Sequence, residues 1–207
     1  MRPLVDARLP LDLLDGRAWL SLTPFTVRGA RLRGLPPVPP VAAFHEVNLR
    51  TYVRPDGGQP GIWFASLDAA SALASAAARA SLGLPYFPAR IERGESGVEH
   101  HYRCDRIALR GEGASLSARW TVGPPVENRP GSVEHFLAER YALYTVHLGR
   151  LLRVRVRHRP WPLREARVGH LRETLSRAAG LPEATASALA QFSPGVDVEF
   201  FPPEVLG

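Results

Sequence analysis

The chain contains no lysine: all 26 of its basic residues are arginine, set against 20 acidic ones for a formal charge of +6. That absence excludes one chemistry. A Schiff base needs a deprotonated side-chain amine, which only lysine supplies, and the one candidate amine left is the N-terminus. Cysteine is nearly absent as well. A single Cys104 excludes an internal disulfide and any cysteine-rich metal cluster. No apolar run approaches the ~18 residues that a membrane span needs. The opening MRPLVDARLPLDLLDG has acids and prolines where a signal peptide keeps an unbroken apolar stretch. A cytoplasmic protein with no membrane partner is therefore expected. HExxH, GxSxG and glycine-rich phosphate loops are missing, and there is neither a repeat of fixed period nor a low-complexity tail.

What is present is ordinary globular material. Hydrophobic residues make up 45% and charged residues 22% of 207 positions, enough for a packed core and suited to a single domain over 1–207. Most of the chain reads as short strands separated by Gly/Pro turns. RAWLSLTPFTVRGARL, 17–32, alternates weakly and is interrupted by Pro24, and GLPPVPPV, 34–41, predicts an extended connector. EVNLRTYVR, 46–54, alternates clearly and is followed by an Asp-Gly turn and a partner strand IWFASL. DAASALASAAARASLG, 68–83, predicts a helix with Asp68 as N-cap and Gly83 as its stop. Three strand candidates follow: YFPARIERG, VEHHYRCDRIALRG and ASLSARWTVG. Ser132 caps a short helix to about Arg140, then YALYTV returns as strand. The rest reads as the arginine-alternating strand 149–163, a strand-to-helix segment from Glu165 and a last strand 196–201. The expected fold is α+β, a mostly antiparallel sheet curled towards a barrel with two or three short helices.

Four patterns carry candidate chemistry. Period-two alternation puts Glu46, Asn48, Arg50 and Tyr52 on one strand face, either a solvated stripe or a polar pocket lining where Arg50 would bind a carboxylate. His135 and Glu139 are helical neighbours, but two ligands do not make a zinc site. Metal and cofactor are accordingly expected to be none. Cys104 stands between Arg103 and Arg106, which would lower a thiol pKa, although a lone strand cysteine is more often inert. Arg153, Arg155, Arg157 and Arg159 make a basic strand face. With acids spread elsewhere and no binding motif present, nucleic acid is not expected.

FHEVNLRTYV, PGIWFASLDA, LPYFPAR, GSVEHFLAERYALYT and RHRPWPL occur in an order that resembles the DUF2071, or YqjF-like, family of bacterial proteins. That family is similar to the acetoacetate decarboxylase superfamily, and the resemblance implies a cone or barrel around a central pocket. It also implies that an N-terminal segment usual in the family is missing here. In the decarboxylase a lysine within Gly-Phe-Pro-Lys-Lys forms the Schiff base. The matching stretch here is LGLPYFPAR, with Tyr86 and Phe87 where the two lysines would stand. Glu46 is similar in place to a pocket glutamate of the decarboxylase. The resulting expectation is a pocket for a small carboxylate or carbonyl ligand, without Schiff-base activity, lined by Glu46, Arg50, Tyr86, Tyr102 and Glu139. Two alternatives stand beside it. One is a lyase, hydrolase or isomerase using Glu46, Tyr86, Tyr102 or Glu139 for proton transfer. The other is a structural or partner-binding protein, with homo-oligomerisation open.

Overall fold

A computed structural model describes residues 1–28, 43–107, 113–183 and 189–206. A 3-10 turn, Arg2–Leu4, leads into the short hairpin of β1 (Leu13–Leu14) and β2 (Arg17–Ala18). There follow β3 (Leu20–Arg28), β4 (Ala43–Val53), β5 (Gly61–Ala69), α1 (Ala72–Leu82), β6 (Tyr86–Ser96), β7 (Glu99–Arg106) and β8 (Ser115–Pro125). The remainder is α2 (Val133–Ala138), β9 (Ala142–His147), β10 (Arg150–His158), β11 (Arg164–Glu173), α3 (Leu175–Ala178), β12 (Gln191–Phe192) and β13 (Val198–Leu206). The proline-rich 34–41 lies outside the described residues, as do the end of the 17–32 reading and part of IALRG.

Eleven of the strands join one sheet that branches at β5. One edge of β5 pairs antiparallel with β4, from Glu46↔Ala69 to Val53↔Gly61. The other edge is divided. Its C-terminal end pairs parallel with β6, Leu67↔Tyr86, and its N-terminal end pairs parallel with β9, Ile62↔Leu143. One arm continues β6-β7-β8-β11-β12, and the other continues β9-β10-β13. Among the described residues the arms end at β12, β13 and β3, and the sheet does not close into a barrel. Among the described residues pairing is otherwise antiparallel, and three short helices stand among the strands.

Local chemistry explains where the elements differ from the sequence reading. Asp68 is not the cap of α1. It belongs to β5, and Ser71 caps the helix by accepting from the Ala74 N–H at 3.2 Å. Gly83 ends α1 in the left-handed region at φ 66, as its position suggested. Ser132 caps α2 through the His135 N–H at 3.2 Å. Pro24 does not interrupt β3, which keeps register through Pro24↔Val47. Among the described residues β3 pairs only with β4, and an edge strand can spare the missing N–H. The final strand starts at Val198 and runs to Leu206 through Pro202 and Pro203 on another sheet edge.

Two apolar clusters form on opposite faces of the β4-β5-β6 region. Residues opposite one another across paired strands share a face. Val47 stands opposite Asp68, which stands opposite Phe87. That face leads into a cluster of Val47, Ala89, Tyr102, Cys104, Leu116 and Leu175. Asn48 stands opposite Leu67, which stands opposite Tyr86, and this second face meets Leu84, Leu143 and Val154 from the other arm. No helix among the described residues is long and apolar enough to cross a membrane.

Candidate functional site

β4 carries Glu46, Asn48 and Arg50 on its second face by simple alternation. The parallel pairing of β5 with β6 then sets Tyr86, the first residue of β6, on the same face. Residues forty apart in sequence meet there: the Tyr86 hydroxyl donates to Glu46 Oε2 at 2.9 Å. Glu46 is only 3% exposed. Burial pushes its carboxyl up to about 8 and the nearby Asp68 adds to the rise, while the Tyr86 hydrogen bond works the other way. Burial also pushes the Tyr86 phenol up, with the Glu46 carboxyl adding to it. At neutral pH the pair therefore holds a protonated acid beside a neutral phenol, an arrangement able to donate to a carbonyl oxygen.

LPYFPAR serves both faces at once. Pro85 and Pro88 lack N–H groups but their carbonyls still accept, from Leu67 at 3.0 Å and Ile107 at 2.8 Å. Tyr86 turns towards Glu46, while Phe87 lies 3.8 Å beneath the Arg106 guanidinium on the opposite face. Arg106 grips the fully buried Asp68 through two bonds, Nε to Oδ1 at 2.6 Å and Nη2 to Oδ2 at 2.9 Å. This fork fixes the end of β5 against β7, and so fixes the pairing that delivers Tyr86. Sequence reasoning missed Asp68 and Arg106 in this role, because only the fold reveals that a carboxylate beside a helix start faces an arginine 38 positions away.

The other candidate residues spread out. Arg50 points towards α2, where its Nη2 donates to the Leu137 carbonyl at 3.2 Å. Tyr102 packs in the first cluster, and its hydroxyl bonds main-chain carbonyls of Glu46 at 3.0 Å and Phe25 at 3.1 Å, not the Glu46 carboxyl. Glu139 sits just past α2 and its carboxylate takes donors from Asn128, Tyr141 and the Trp161 N–H. It braces the loop around Trp161 and does not join the Glu46–Tyr86 pair. Two hollows lie in this part of the fold, and neither is lined by Glu46 or Tyr86. One, of about 240 Å³, includes Leu84 and Pro85, stopping one residue short of Tyr86. The other, of about 810 Å³, includes Phe44, His45 and Ala70, stopping one residue short of Glu46 on β4.

The remaining patterns resolve structurally. Cys104 is fully buried and its thiol is pushed up to about 12 by burial, with Asp68 adding to the effect of burial, so its flanking arginines do not activate it. Arg153 and Arg155 both pair with Glu204, and Arg157 pairs with Glu199, so β13 supplies acids opposite the basic strand. Among the described residues, no three His, Cys, Asp or Glu side chains gather as a metal-ligand set.

Comparison with known proteins agrees with this architecture. The profile of the DUF2071 family, described as an uncharacterized conserved protein, matches residues 1–197. The uncharacterized protein YqjF of Bacillus subtilis (strain 168) is 36% identical over 202 residues, covering 98% of this chain and 83% of its own length. The crystal structure of acetoacetate decarboxylase from Legionella pneumophila superposes with a TM-score of 0.63 at 12% identity, covering 100% of this chain and 79% of that one. At that identity the likeness concerns the fold.

Proposed function

The chain belongs to the DUF2071 family of uncharacterized conserved proteins, and from that premise we propose that it binds a small carboxylate or carbonyl compound against the Glu46–Tyr86 pair, with no Schiff base. In this reading the two arms of the sheet curl around the second face of β4 as the wall of a cone. Glu46, held neutral by burial, donates to the ligand's carbonyl or carboxylate oxygen, and Tyr86 orients that carboxyl. Arg50, further along the strand, attracts negative charge. The observation that carries the reading is the buried Glu46–Tyr86 bond at 2.9 Å, in the stretch where the similar enzyme family keeps its lysines. The Legionella protein is an acetoacetate decarboxylase by name; with no lysine in this chain, the corresponding step has no side-chain amine to run on.

Calorimetric titration with acetoacetate and related short oxo acids tests the reading. Saturable binding is expected, weakened about tenfold or more in Glu46→Ala and in Tyr86→Phe, since each loses a hydrogen bond to or next to the ligand. Borohydride added with acetoacetate should leave no side-chain adduct by mass spectrometry. Absence of binding, or a mass gain within the chain, would overturn the proposal.

A second reading has one observation in its favour. A carboxyl pushed up to about 8 is suited to general acid–base work near neutral pH. Under that reading a turned-over substrate would show a rate dependent on pH near 8, lost in Glu46→Gln. Ligand retention without turnover favours the first reading.

A further inference from the structure

The hollow of about 240 Å³ has walls of an uncommon kind. They are runs of consecutive residues: 63–65 of β5, 83–85 leading into β6, and 144–146 of β9, with Leu4 on a further side. A strand shows only every second residue on either face. Unbroken runs therefore mean that the hollow meets these segments edge-on, along their main chains. It lies in the fork of the sheet, between the last pair of β5 with β9, Trp63↔Tyr144, and the first pair of β5 with β6, Leu67↔Tyr86. Among the described residues, 64–66 have no neighbour on that edge. The opposite edge breaks at the same place. Arg50 pairs with Phe64 and Leu49 with Ser66, so Ala65 is passed over as the extra residue of a bulge. Among the described residues Ala65 thus has no strand partner on either side, although it stands mid-strand. The fork is both open and fixed. Leu4, Phe64, Ala65 and Val146 are partly exposed along it, and the Thr145 hydroxyl donates to the Leu82 carbonyl at 3.2 Å, tying β9 to the turn before β6.

We propose that this fork is a second binding site, for a small uncharged amide whose N–H and C=O stand in for the strand missing beside 64–66. Main-chain amides and carbonyls are obligatory hydrogen-bonding groups. A carboxamide offers one donor and one acceptor in a single plane, as a neighbouring strand does. None of the residues lining the hollow is charged, so a carboxylate or ammonium entering it would lose hydration without a counter-charge. Trp63, Leu84 and Tyr144 give the rest of the ligand apolar and aromatic surface. The volume is below the roughly 300–1,000 Å³ of sites for drug-sized molecules, which limits the ligand to one ring or a short acyl chain. Crevices where parallel strands of a sheet part company are a common place for small ligands, and β5 runs parallel to both strands that part here. Glu46 and Tyr86 take no part, so the inference is independent of the pocket proposed above.

Benzamide, acetophenone and benzoate test this directly. The first two share a shape and differ by NH₂ against CH₃, and benzoate puts a charge in the same place. Each is titrated into the unmodified, isotope-labelled protein, and the backbone amide signals of Phe64, Ala65 and Gly83, assigned by triple-resonance NMR, report the fork residue by residue. Benzamide should shift these signals saturably, and about tenfold more tightly than acetophenone, since a site that pairs with an N–H rejects the analogue lacking it. Benzoate should leave them in place. No shift with benzamide at millimolar concentration would overturn the proposal and leave the hollow to water. Equal affinity for benzamide and acetophenone, or a response to benzoate as strong as to benzamide, would overturn it as well. Binding beside Glu46 would move a different set of signals, so the two sites are read separately in one experiment.

Discussion

Glu46→Gln is expected to make the protein more stable at neutral pH, although it removes a buried acid. Glu46 has an ordinary value of 4.5 and is pushed up to about 8 in the fold. Between those two values the native state holds a proton that the unfolded chain has released. Stability therefore falls as pH rises, by about 1.4 kcal/mol per pH unit in that window. The contribution is fully present below pH 4.5 and lost by about pH 8, which amounts to about 5 kcal/mol. Glutamine does not titrate, and its amide oxygen can still accept from Tyr86. The two proteins should match near pH 4.5 and separate by about 3 kcal/mol at pH 7 in favour of Gln. Urea unfolding followed by tryptophan fluorescence at half-unit steps measures the difference, and every other titrating group cancels between the two proteins. Curves that run parallel, or a Gln variant that is less stable at pH 7, would refute the reasoning: Glu46 would then be ionised in the fold and stabilised by it.

Asp68→Ala should cost about 3–5 kcal/mol in urea unfolding, because it strands the Arg106 charge in a buried place. Asp68→Leu combined with Arg106→Met should cost less than either single change, and strict additivity would argue against a coupled pair. Gly83→Ala should lose about 1–2 kcal/mol, read as a lowered Tm. Its φ is +66 and a Cβ would lie 2.6 Å from the Val146 carbonyl oxygen, so an unchanged Tm would contradict the turn geometry. Cys104 should resist Ellman's reagent in the native protein at pH 8 and react on unfolding in guanidinium, since it is fully buried with its thiol pushed up to about 12. Rapid native reaction would show that the strand is exposed.

The β4 row was legible because alternation is a local signal: EVNLRTYV names its own faces. The caps at Ser132 and Gly83 were legible for the same reason, each being set by its immediate neighbours. Asp68 was misread because an acid before an alanine run satisfies the same local rule whether it caps a helix or closes a strand. What decided the matter was Arg106, brought in by β7. Glu46 and Tyr86 were each singled out, but their contact depends on the parallel register of β5 with β6, which no short-range pattern encodes. Glu139 shows the converse. An acid near a histidine on a helix suggested chemistry, whereas three donors from Asn128, Tyr141 and Trp161 give it a bracing role.

The divided edge of β5 has a consequence for how the chain comes to be built. Ile62 waits for Leu143, about eighty residues later, before the N-terminal half of that edge has a neighbour. β4, α1 and β6 all emerge well before β9. A partly synthesised chain thus presents a half-paired strand, along with the apolar side of Leu67 and Leu84 that Leu143 and Val154 later cover. Parallel pairing at such separation is slow to close, and an open edge beside exposed leucines is what draws neighbouring chains together. Yield in expression should respond to translation rate and chaperone supply more sharply than the finished fold's stability would suggest.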